Sequence, residues 1–166
     1  MSKGSAGKKE QHREGERFSQ MRALPFFSGF PDAVLWEALR LGTLSTHPKG
    51  TELMQEDSKG DSFYVLLEGQ VAIMRHGQRL TTVDAGVTLG EMAYLQPDKP
   101  LRSATAVAET DVVVLEIRNE ALRHASDDLQ LKFDKAFIAL LVNRLMVTNE
   151  KLGQAQENSF TIDMSR

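Results

Sequence analysis

The chain has 166 residues, of which 41% are hydrophobic and 26% are charged, and its formal net charge is −3. This composition is typical of one globular domain with an extension, and the acidic balance excludes a general basic surface for nucleic acid. The absence of cysteine excludes disulfides, iron–sulfur clusters and thiol catalysis. The apolar runs are too short to cross a bilayer and the polar N-terminus has no hydrophobic signal segment, so we expect a cytoplasmic protein.

The first part of the chain is predicted to contain a tail and then a helix. Residues 1–17 are mostly Lys, Glu, Gly and Gln, which cannot bury a core, so we predict a disordered tail there. A folded domain is predicted for residues 18–126. Pro31 and Asp32 open its first helix, and Gly42 ends it. The apolar face of that helix consists of Val34, Leu35, Ala38, Leu39 and Leu41.

Between Thr43 and Ile117 the pattern changes to short strands separated by turn residues. The turns are marked by Gly, Pro and Asp, as in Pro48-Lys49-Gly50. Six to eight short strands at this spacing predict a mainly β fold with flanking helices, in which an antiparallel jelly-roll barrel forms the core. The clearest runs of β-branched or alternating residues are 51–54, 63–67, 71–74, 80–83, 103–108 and 112–117.

The C-terminal residues predict a short helix at 119–124 and a long helix at 127–157, followed by a polar tail at 158–166. One apolar stripe on the long helix has steps of 3, 4, 3, 4 and 3 from Ile138 onward. This alternation favours packing on an identical helix. The stripe consists of Leu131, Ile138, Leu141, Leu145, Thr148, Leu152 and Ala155.

A second stripe on an adjacent face of the long helix is expected to pack on the barrel. Two interpretations of the helix remain, a helix buried in its own domain and a helix that forms a dimer. The separate faces favour a homodimer through residues 131–155. No further domain is expected from the residues that follow. The second stripe consists of Phe133, Phe137, Leu140, Arg144 and Val147.

The stretch from Leu89 to Thr105 interrupts the strands with a short helical turn and a Pro-containing loop. Such an interruption is more often a site than a connector, because it costs sheet pairing. Gly90 lets the backbone approach a ligand, the amides of Glu91 and Met92 suit an anion, and the Glu91 carboxylate suits ribose hydroxyls. From Gly90 and Glu91 alone, a plain turn with a solvated glutamate is the favoured interpretation.

Arg102 changes this balance because it opens an apolar strand, where an unpaired charge is costly. A guanidinium makes paired hydrogen bonds to phosphate, and the Ser103 hydroxyl and the Ala104 amide add donors. The other interpretation is a structural salt bridge from Arg102 to Glu91 or Asp98.

The long helix offers three further polar side chains. Arg144 either extends to solvent or braces Glu91 as a second partner. Thr148 on the first stripe, with Asn149 beside it, offers hydrogen bonds to the edge of a base.

These residues closely resemble the phosphate-binding cassette of the cyclic-nucleotide-binding domain family. The family pattern is roughly Phe-Gly-Glu-Leu-Ala-Leu, a loop, then Pro-Arg-Ala/Ser-Ala-Thr, and it corresponds to residues 89–94 and 100–105 here. The resemblance covers roughly residues 22–155. Residues 144–153 look like the dimer helix of the bacterial cyclic AMP receptor (catabolite activator) proteins, whose DNA-binding winged helix has no counterpart in the sequence. Residues 24–30, 48–50 and 60–69 resemble the family's early helix, first turn and central hairpin.

The resemblance implies a role for each candidate residue. Glu91 would accept from the ribose 2′-hydroxyl and Arg144 would brace it, while Arg102 and Ser103 would hold the cyclic phosphate. Thr148 would meet the adenine amino group, as would the partner subunit's Asn149. Leu89 stands where the family has an aromatic residue. The implied ligand-binding set is Leu89, Gly90, Glu91, Met92, Arg102, Ser103, Ala104, Arg144, Thr148 and Asn149.

The resemblance implies a dimeric sensor of a cyclic nucleotide, cAMP with cGMP as the other candidate, which signals to an unidentified protein. The alternative is a dimeric interaction module that keeps the fold but has lost nucleotide binding, since Leu101 separates Pro100 from Arg102 and the loop is longer than usual. We expect no enzymatic activity and no metal site, and no DNA binding by the chain alone. The histidines His12, His47, His76 and His124 are isolated in the sequence.

Overall fold

The computed structural model describes the backbone of residues 3–163 and the side chains of residues 12–154. The chain forms two compact units, Met1–Lys132 and Phe133–Arg166. The long C-terminal helix begins in the first unit and continues through the second. The helices are α1 (Lys3–Ala23), α2 (Asp32–Leu41), α3 (Met92–Leu95), α4 (Asn119–Arg123) and α5 (Asp127–Asp163), with a 3-10 turn at Pro25–Phe27.

Helix α1 differs from the disordered tail predicted for residues 1–17. The helix begins at Lys3, and Arg17 donates to Gln20 and to Glu68, each at 2.8 Å. A lack of core residues suggested disorder, whereas Lys, Glu, Gln and Arg are good helix formers even when they stay exposed. Phe18, the residue after Arg17, stacks on Trp36 with ring centres 4.3 Å apart.

Helix α2 confirms the boundaries predicted from the sequence. Pro31 occupies the N-cap position, and Val34, Leu35, Ala38 and Leu39 are buried. Gly42 ends the helix in extended backbone, with φ −86° and ψ 167°. Glycine is needed there for space, because a Cβ atom would lie 2.5 Å from Leu115 Cδ1.

The N-terminus of α5 is capped by Ser126, one residue before the predicted Asp127 and Asp128. The Ser126 hydroxyl accepts from the Leu129 amide at 3.2 Å, as an N-cap side chain does. The same hydroxyl donates to the Glu37 carboxylate at 2.6 Å, and the Ser126 amide donates to it at 3.0 Å. These hydrogen bonds lower the pKa of Glu37.

The strands form two antiparallel sheets, which confirms the predicted jelly-roll class. The first sheet has the order β1-β8-β3-β6 and the second β2-β7-β4-β5. Within the described residues the two sheets share no strand pair, so the predicted barrel is an open pair of sheets. The strands are β1 (Thr43–His47), β2 (Glu52–Met54), β3 (Ser62–Glu68), β4 (Gln70–Arg75), β5 (Gln78–Asp84), β6 (Thr88–Leu89), β7 (Thr105–Ala108) and β8 (Val112–Arg118).

Two strands lie outside the six runs that were clearest in the sequence. Strand β1 is largely exposed and contains one aliphatic residue, Leu44, so its position is set by its ladder with β8. Strand β6 has only two residues, which pair with Tyr64 and Val65. Both strands are therefore defined by their partners and not by a local pattern.

The apolar core draws side chains from both sheets. Strand β3 is buried at five of its seven positions, because it lies inside the first sheet. A cluster of buried side chains from both sheets forms part of this core. Burying one side chain the size of valine or leucine contributes about 1.5–3 kcal/mol, so the cluster is a main source of stability. Its fully or nearly fully buried members include Leu66, Val71, Leu89, Ala106, Ala108, Val112 and Val114.

The second unit is the remainder of α5, which ends at Asp163 and so extends past the predicted boundary at residue 157. Of the second stripe, Phe133 and Phe137 are buried with ring centres 5.8 Å apart, whereas Val147 is 41% exposed. Packing of this stripe on the barrel stays a prediction. Side chains of the first stripe that are more than 45% exposed are Leu131, Ile138, Leu145 and Leu152.

None of the helices in the described part of the chain combines the length and apolar character needed to cross a membrane.

We expect Gly69→Ala to lower the free energy of unfolding far more than Gly50→Ala. Both glycines have φ near the same left-handed value, +87° and +88°, but only at Gly69 would a Cβ atom overlap the Asp111 carbonyl oxygen. Left-handed backbone alone costs about 1–2 kcal/mol for other residues, and the rigid carbonyl adds to that cost. Urea unfolding of both variants measures the difference, and equal losses would contradict the steric argument.

Candidate functional site

The cassette (residues 89–105) is a crossover between the two sheets. Leu89 ends β6 in the first sheet, and Thr105 begins β7 in the second. Between them lie α3 and a turn in which the Lys99 amide donates to the Gln96 carbonyl at 2.9 Å. The strand pattern stops here because the chain changes sheets.

Gly90 is required by its backbone conformation and by a close neighbour. Its φ of +80° lies in the left-handed region that glycine adopts readily. A Cβ atom at this position would overlap Nη1 of Arg102. The sequence predicted that Gly90 admits a ligand, and the structure shows that it admits the guanidinium of Arg102. The preceding residue, Leu89, is buried opposite Tyr64 in the β3–β6 ladder.

Glu91 is buried, with 2% of its surface exposed, which contradicts the plain interpretation of a solvated glutamate. The Thr88 hydroxyl donates to its carboxylate at 3.4 Å. The Glu91 carbonyl accepts from the amides of Tyr94 and Leu95 at 3.0 Å each, and so starts α3, whose first residue, Met92, is half-buried. A buried carboxylate destabilises a fold unless it has hydrogen-bond partners. The burial of Glu91 therefore depends on the groups that surround it in the cassette.

Arg102 is also buried, with 6% of its surface exposed. Its Nη1 donates to the carbonyl oxygens of Ser62 and Gly90 at 2.7 and 3.2 Å. Its Cζ lies 5.9 Å from the centre of the Tyr64 ring, within the range of a cation–π contact. Within the described side chains, Arg102 forms no salt bridge with a carboxylate, so the predicted alternative of a structural pair with Glu91 or Asp98 is not observed.

Gly60 forms the other side of the space that the Arg102 guanidinium occupies. A Cβ atom on Gly60 would lie 2.6 Å from both Cζ and Nε of Arg102. Sequence analysis did not include Gly60 in the site. The available signal was a glycine two residues before strand β3, since glycine is favoured where another group approaches the backbone closely.

The backbone of Arg102 is held by the β2–β3 connection. The Arg102 amide donates to the Ser58 carbonyl at 2.8 Å, and the Arg102 carbonyl accepts from the Asp57 amide at 2.9 Å. The Gly60 amide donates to the Pro100 carbonyl at 2.7 Å. Leu101 pairs with Lys59 and is 48% exposed, so the residue that separates Pro100 from Arg102 is accommodated at the surface.

Tyr64 is a further member of the site that sequence analysis missed. Burial raises the pKa of the Tyr64 hydroxyl, and the negative charge of Glu116 adds to the increase. Tyr64 is therefore a neutral aromatic partner for Arg102 near pH 7. The sequence of β3 could have indicated this, because side chains alternate between the two faces of a strand. Tyr64 must therefore face the side opposite to the fully buried Phe63 and Val65.

Ser103 and Ala104 do not begin a strand as predicted. They form a bend before β7, with Ser103 exposed and Ala104 buried. The bend follows from the hydrogen bonds that tie Arg102 to the β2–β3 connection and not to a sheet neighbour. It leaves Ser103 exposed, directly after the buried Arg102 in the chain.

Arg144, Thr148 and Asn149 lie in the second unit, on α5, and all three are exposed. The Thr148 hydroxyl donates to the Arg144 carbonyl at 2.8 Å. A hydroxyl that donates in this way still has lone pairs that accept, as an interaction with an amino group requires. The roles that the resemblance implies for these three residues stay predictions.

The histidines have local polar neighbours. His12 pairs with Glu16, His47 with Ser45 and His76 with Glu56, while Nδ1 of His124 lies 2.9 Å from the Glu120 carbonyl oxygen. Over the side chains that the structure describes, no group of three His, Asp or Glu residues is placed to hold a metal ion.

Comparison with known proteins identifies the family. Residues 44–128 match the model of the cyclic nucleotide-binding domain, which is more than half of the 166 residues. The chain therefore belongs to the cyclic nucleotide-binding domain family, as the resemblance of the cassette predicted.

Three relatives illustrate how far this similarity extends. Glutaminase 2 of Bradyrhizobium diazoefficiens is 29% identical over 118 residues, which are 69% of this chain and 18% of that protein. The cAMP-dependent protein kinase regulatory subunit of Aspergillus niger is 33% identical over 79 residues, 46% of this chain and 19% of that one. The catabolite activator protein of Thermus thermophilus has a TM-score of 0.64 at 25% identity, covering 80% of this chain and 63% of its own. The chain thus spans less than two thirds of each.

We expect Gly60→Ala to destabilise the fold and Arg102→Ala to relieve part of that loss in the double variant. Gly60 does not have a left-handed φ, so the added methyl acts through its clash with the guanidinium. Overpacking of this kind costs about 1–3 kcal/mol. Urea unfolding of the two single variants and the double variant gives the coupling between the sites.

Gly29→Ala is the matched control, because a Cβ atom there would meet nothing within 4 Å. Strict additivity of the Gly60 and Arg102 substitutions would show that the glycine does not make room for the guanidinium.

Proposed function

We propose that this chain is a cyclic-nucleotide sensor, with cAMP as its ligand, that works as a homodimer and passes its ligand state to a protein partner. The observation that carries the proposal is the buried guanidinium of Arg102, which has backbone carbonyls and an aromatic ring as partners. A buried cation without a carboxylate partner has lost hydration that an anionic ligand would replace.

The chemistry of Arg102 suits the cyclic phosphate. The hydrogen bonds observed from the described guanidinium both use Nη1. A guanidinium carries several donors in a planar fork, so Nε and Nη2 remain suited to a pair of phosphate oxygens. The exposed Ser103 hydroxyl and the Ala104 amide follow directly in the chain and would add donors to the same anion.

Glu91 would supply the second recognition element. Its carboxylate is an acceptor when ionised, which suits a ribose hydroxyl next to the cyclic phosphate. Gly90 separates Glu91 from Leu89 and contacts Arg102 through its carbonyl, so both charged groups are fixed by the same short segment. A ligand that carries a phosphate beside a hydroxyl matches this pair better than a simple anion does.

The choice of cAMP is supported by the kinase regulatory subunit, whose name specifies that nucleotide, and by the family-implied role of Thr148 toward an adenine amino group. The part shared with glutaminase 2 is 18% of that enzyme, so no glutaminase activity is proposed for this chain. We propose cGMP as the competing ligand, and a titration with both nucleotides separates them.

We expect wild-type protein to bind cAMP and Arg102→Ala to bind it at least about 30-fold more weakly. This estimate follows from the cost of truncating one member of a buried, hydrogen-bonded charge pair. Isothermal titration calorimetry measures both affinities, and thermal unfolding without ligand checks that the variant is folded. Arg102→Lys, which keeps the charge, serves as the second variant.

Arg118→Ala is the matched control for the loss of one arginine. Arg118 pairs with Asp61 at 3.1 Å, and its side chain is 73% exposed. Its removal should leave the affinity unchanged. If the wild type bound neither cAMP nor cGMP, or if Arg102→Ala bound as the wild type does, the proposed function would be wrong.

The second candidate function is an interaction module that has lost nucleotide binding. It is favoured by one observation, since the Arg102 guanidinium already donates to two carbonyls and contacts Tyr64. This candidate requires a dimer whose melting temperature does not change with any cyclic mononucleotide. Saturating ligand that raises the melting temperature by several degrees would exclude it.

The proposed dimer interface is the first stripe of α5. Ile138, Leu145 and Leu152 are each about 60% exposed in the single chain, and they repeat every seven residues. A heptad of exposed aliphatic side chains favours a coiled coil with a second copy. Residues 131–155 would form this interface.

We expect Leu145→Glu to shift the wild-type dimer toward monomer, because a carboxylate in a helix seam is buried without a partner. Asn143→Glu adds the same charge on a different face of α5 and should remain dimeric. Sedimentation equilibrium at several protein concentrations measures the association. A monomeric wild type, or equal association of the two variants, would contradict the dimer.

A further inference from the structure

One turn of the first unit contacts both the end of the cassette and the tip of the β4–β5 hairpin. In this turn (residues 55–58) the Ser58 amide and hydroxyl both donate to the Gln55 carbonyl, at 3.2 and 2.6 Å. The turn holds the backbone of Arg102 from both sides, through the Ser58 carbonyl and the Asp57 amide. Its Glu56 amide donates to the Thr105 hydroxyl at 2.9 Å, at the first residue of β7.

The Glu56 side chain connects the same turn to the tip of the β4–β5 hairpin. Its carboxylate accepts from the His76 amide at 2.8 Å. It also lies 3.3 Å from Nδ1 of His76 and 3.7 Å from Nε of Arg75. The Glu56 side chain is only 16% exposed, whereas the side chains of Arg75 and His76 are 56% and 75% exposed.

Backbone conformation marks the junction as a specific structure. Over the described part of the chain, the non-glycine residues with positive φ are Asp57 at 62° and His76 at 50°. One belongs to the turn and the other to the hairpin tip that Glu56 joins to it. Such conformations cost of order 1–3 kcal/mol each, and they persist where surrounding contacts impose them.

We propose that Glu56 is a positioning residue for Arg102, which couples the tip of the β4–β5 hairpin to the phosphate anchor of the cassette. The inference rests on the proposed function, because the coupling matters only if Arg102 binds an anionic ligand. The path consists of two hydrogen bonds: the His76 amide donates to the Glu56 carboxylate, and the amide of the next residue, Asp57, donates to the Arg102 carbonyl. A ligand at Arg102 therefore changes the environment of the hairpin tip, and the hairpin in turn affects affinity, since coupling between two sites is reciprocal.

The test compares Glu56→Ala with Glu109→Ala. Glu109 pairs with Arg79 and accepts from the Thr82 hydroxyl at 2.7 Å, so it contacts strand β5 of the same hairpin and not its tip. We expect Glu56→Ala to weaken cAMP binding by about threefold to thirtyfold, which lies within the range of coupling between residues of one network. Glu109→Ala should bind as the wild type does, and Glu56→Gln should recover part of the loss because its amide oxygen still accepts from His76.

A second readout follows the hairpin directly. In ¹⁵N-labelled wild-type protein, adding cAMP should shift the amide resonances of His76 and Gly77, and Glu56→Ala should remove that shift while ligand is saturating. Thr105→Val, which deletes the acceptor of the Glu56 amide, tests the turn without altering the carboxylate and should also weaken binding. It serves as the folded variant if Glu56→Ala does not fold.

The outcomes separate the two proposals. A wild type that binds no cyclic nucleotide overturns the proposed function and this inference with it. If the wild type binds cAMP and Glu56→Ala binds it with the same affinity, only the positioning role is overturned. The same holds for Thr105→Val if it is used in place of Glu56→Ala. Equal losses of cAMP affinity in Glu56→Ala and Glu109→Ala also overturn the positioning role, since they would reflect a general destabilisation of the β4–β5 hairpin.

Discussion

The guanidinium of Arg102 is a positive charge that the first unit removes from water and surrounds with carbonyl oxygens, a tyrosine ring and two glycines. Isolated buried charge is among the most costly features that a fold can contain. Each neighbour of Arg102 offsets this free-energy cost, or makes room for the guanidinium, in a different way. Ser62 and Gly90 supply acceptors, Tyr64 supplies a polarisable face, and Gly60 supplies space.

This constraint explains the local architecture of the cassette. The segment must leave β6, bring Glu91 inside, and return with Arg102 beside Gly90 before β7 begins. Pairing within either sheet would prevent that course, so the β2–β3 connection holds the returning strand of the loop through backbone hydrogen bonds. The additional residue Leu101 is tolerated because it faces solvent, where an insertion costs little.

Features that depend on local chemistry were predictable from the sequence. The ends of α2 and the long strands β3 and β8 follow from proline, glycine and β-branched residues, and the resemblance of residues 89–94 and 100–105 to a known cassette indicated the family. Features that depend on distant partners were not. Strand β1 is defined by β8, Gly60 by a side chain 42 positions later, and the cap of α5 is shared with Glu37. Helix α1 was missed because low hydrophobicity was equated with disorder.

Because Arg102 is buried, its electrostatic interactions depend less on salt than those of the ion pairs at the surface. The ion pairs Arg17–Glu68 and Arg118–Asp61 lie partly or largely in solvent. At physiological ionic strength, exposed charges are screened over about 8 Å, whereas buried charges are screened much less. Raising the salt concentration therefore weakens the ion pairs of Arg17 in α1 and Arg118 in β8 while leaving the field of the guanidinium nearly constant. Arg102 thus stays a positive centre at ionic strengths that weaken the surface ion pairs.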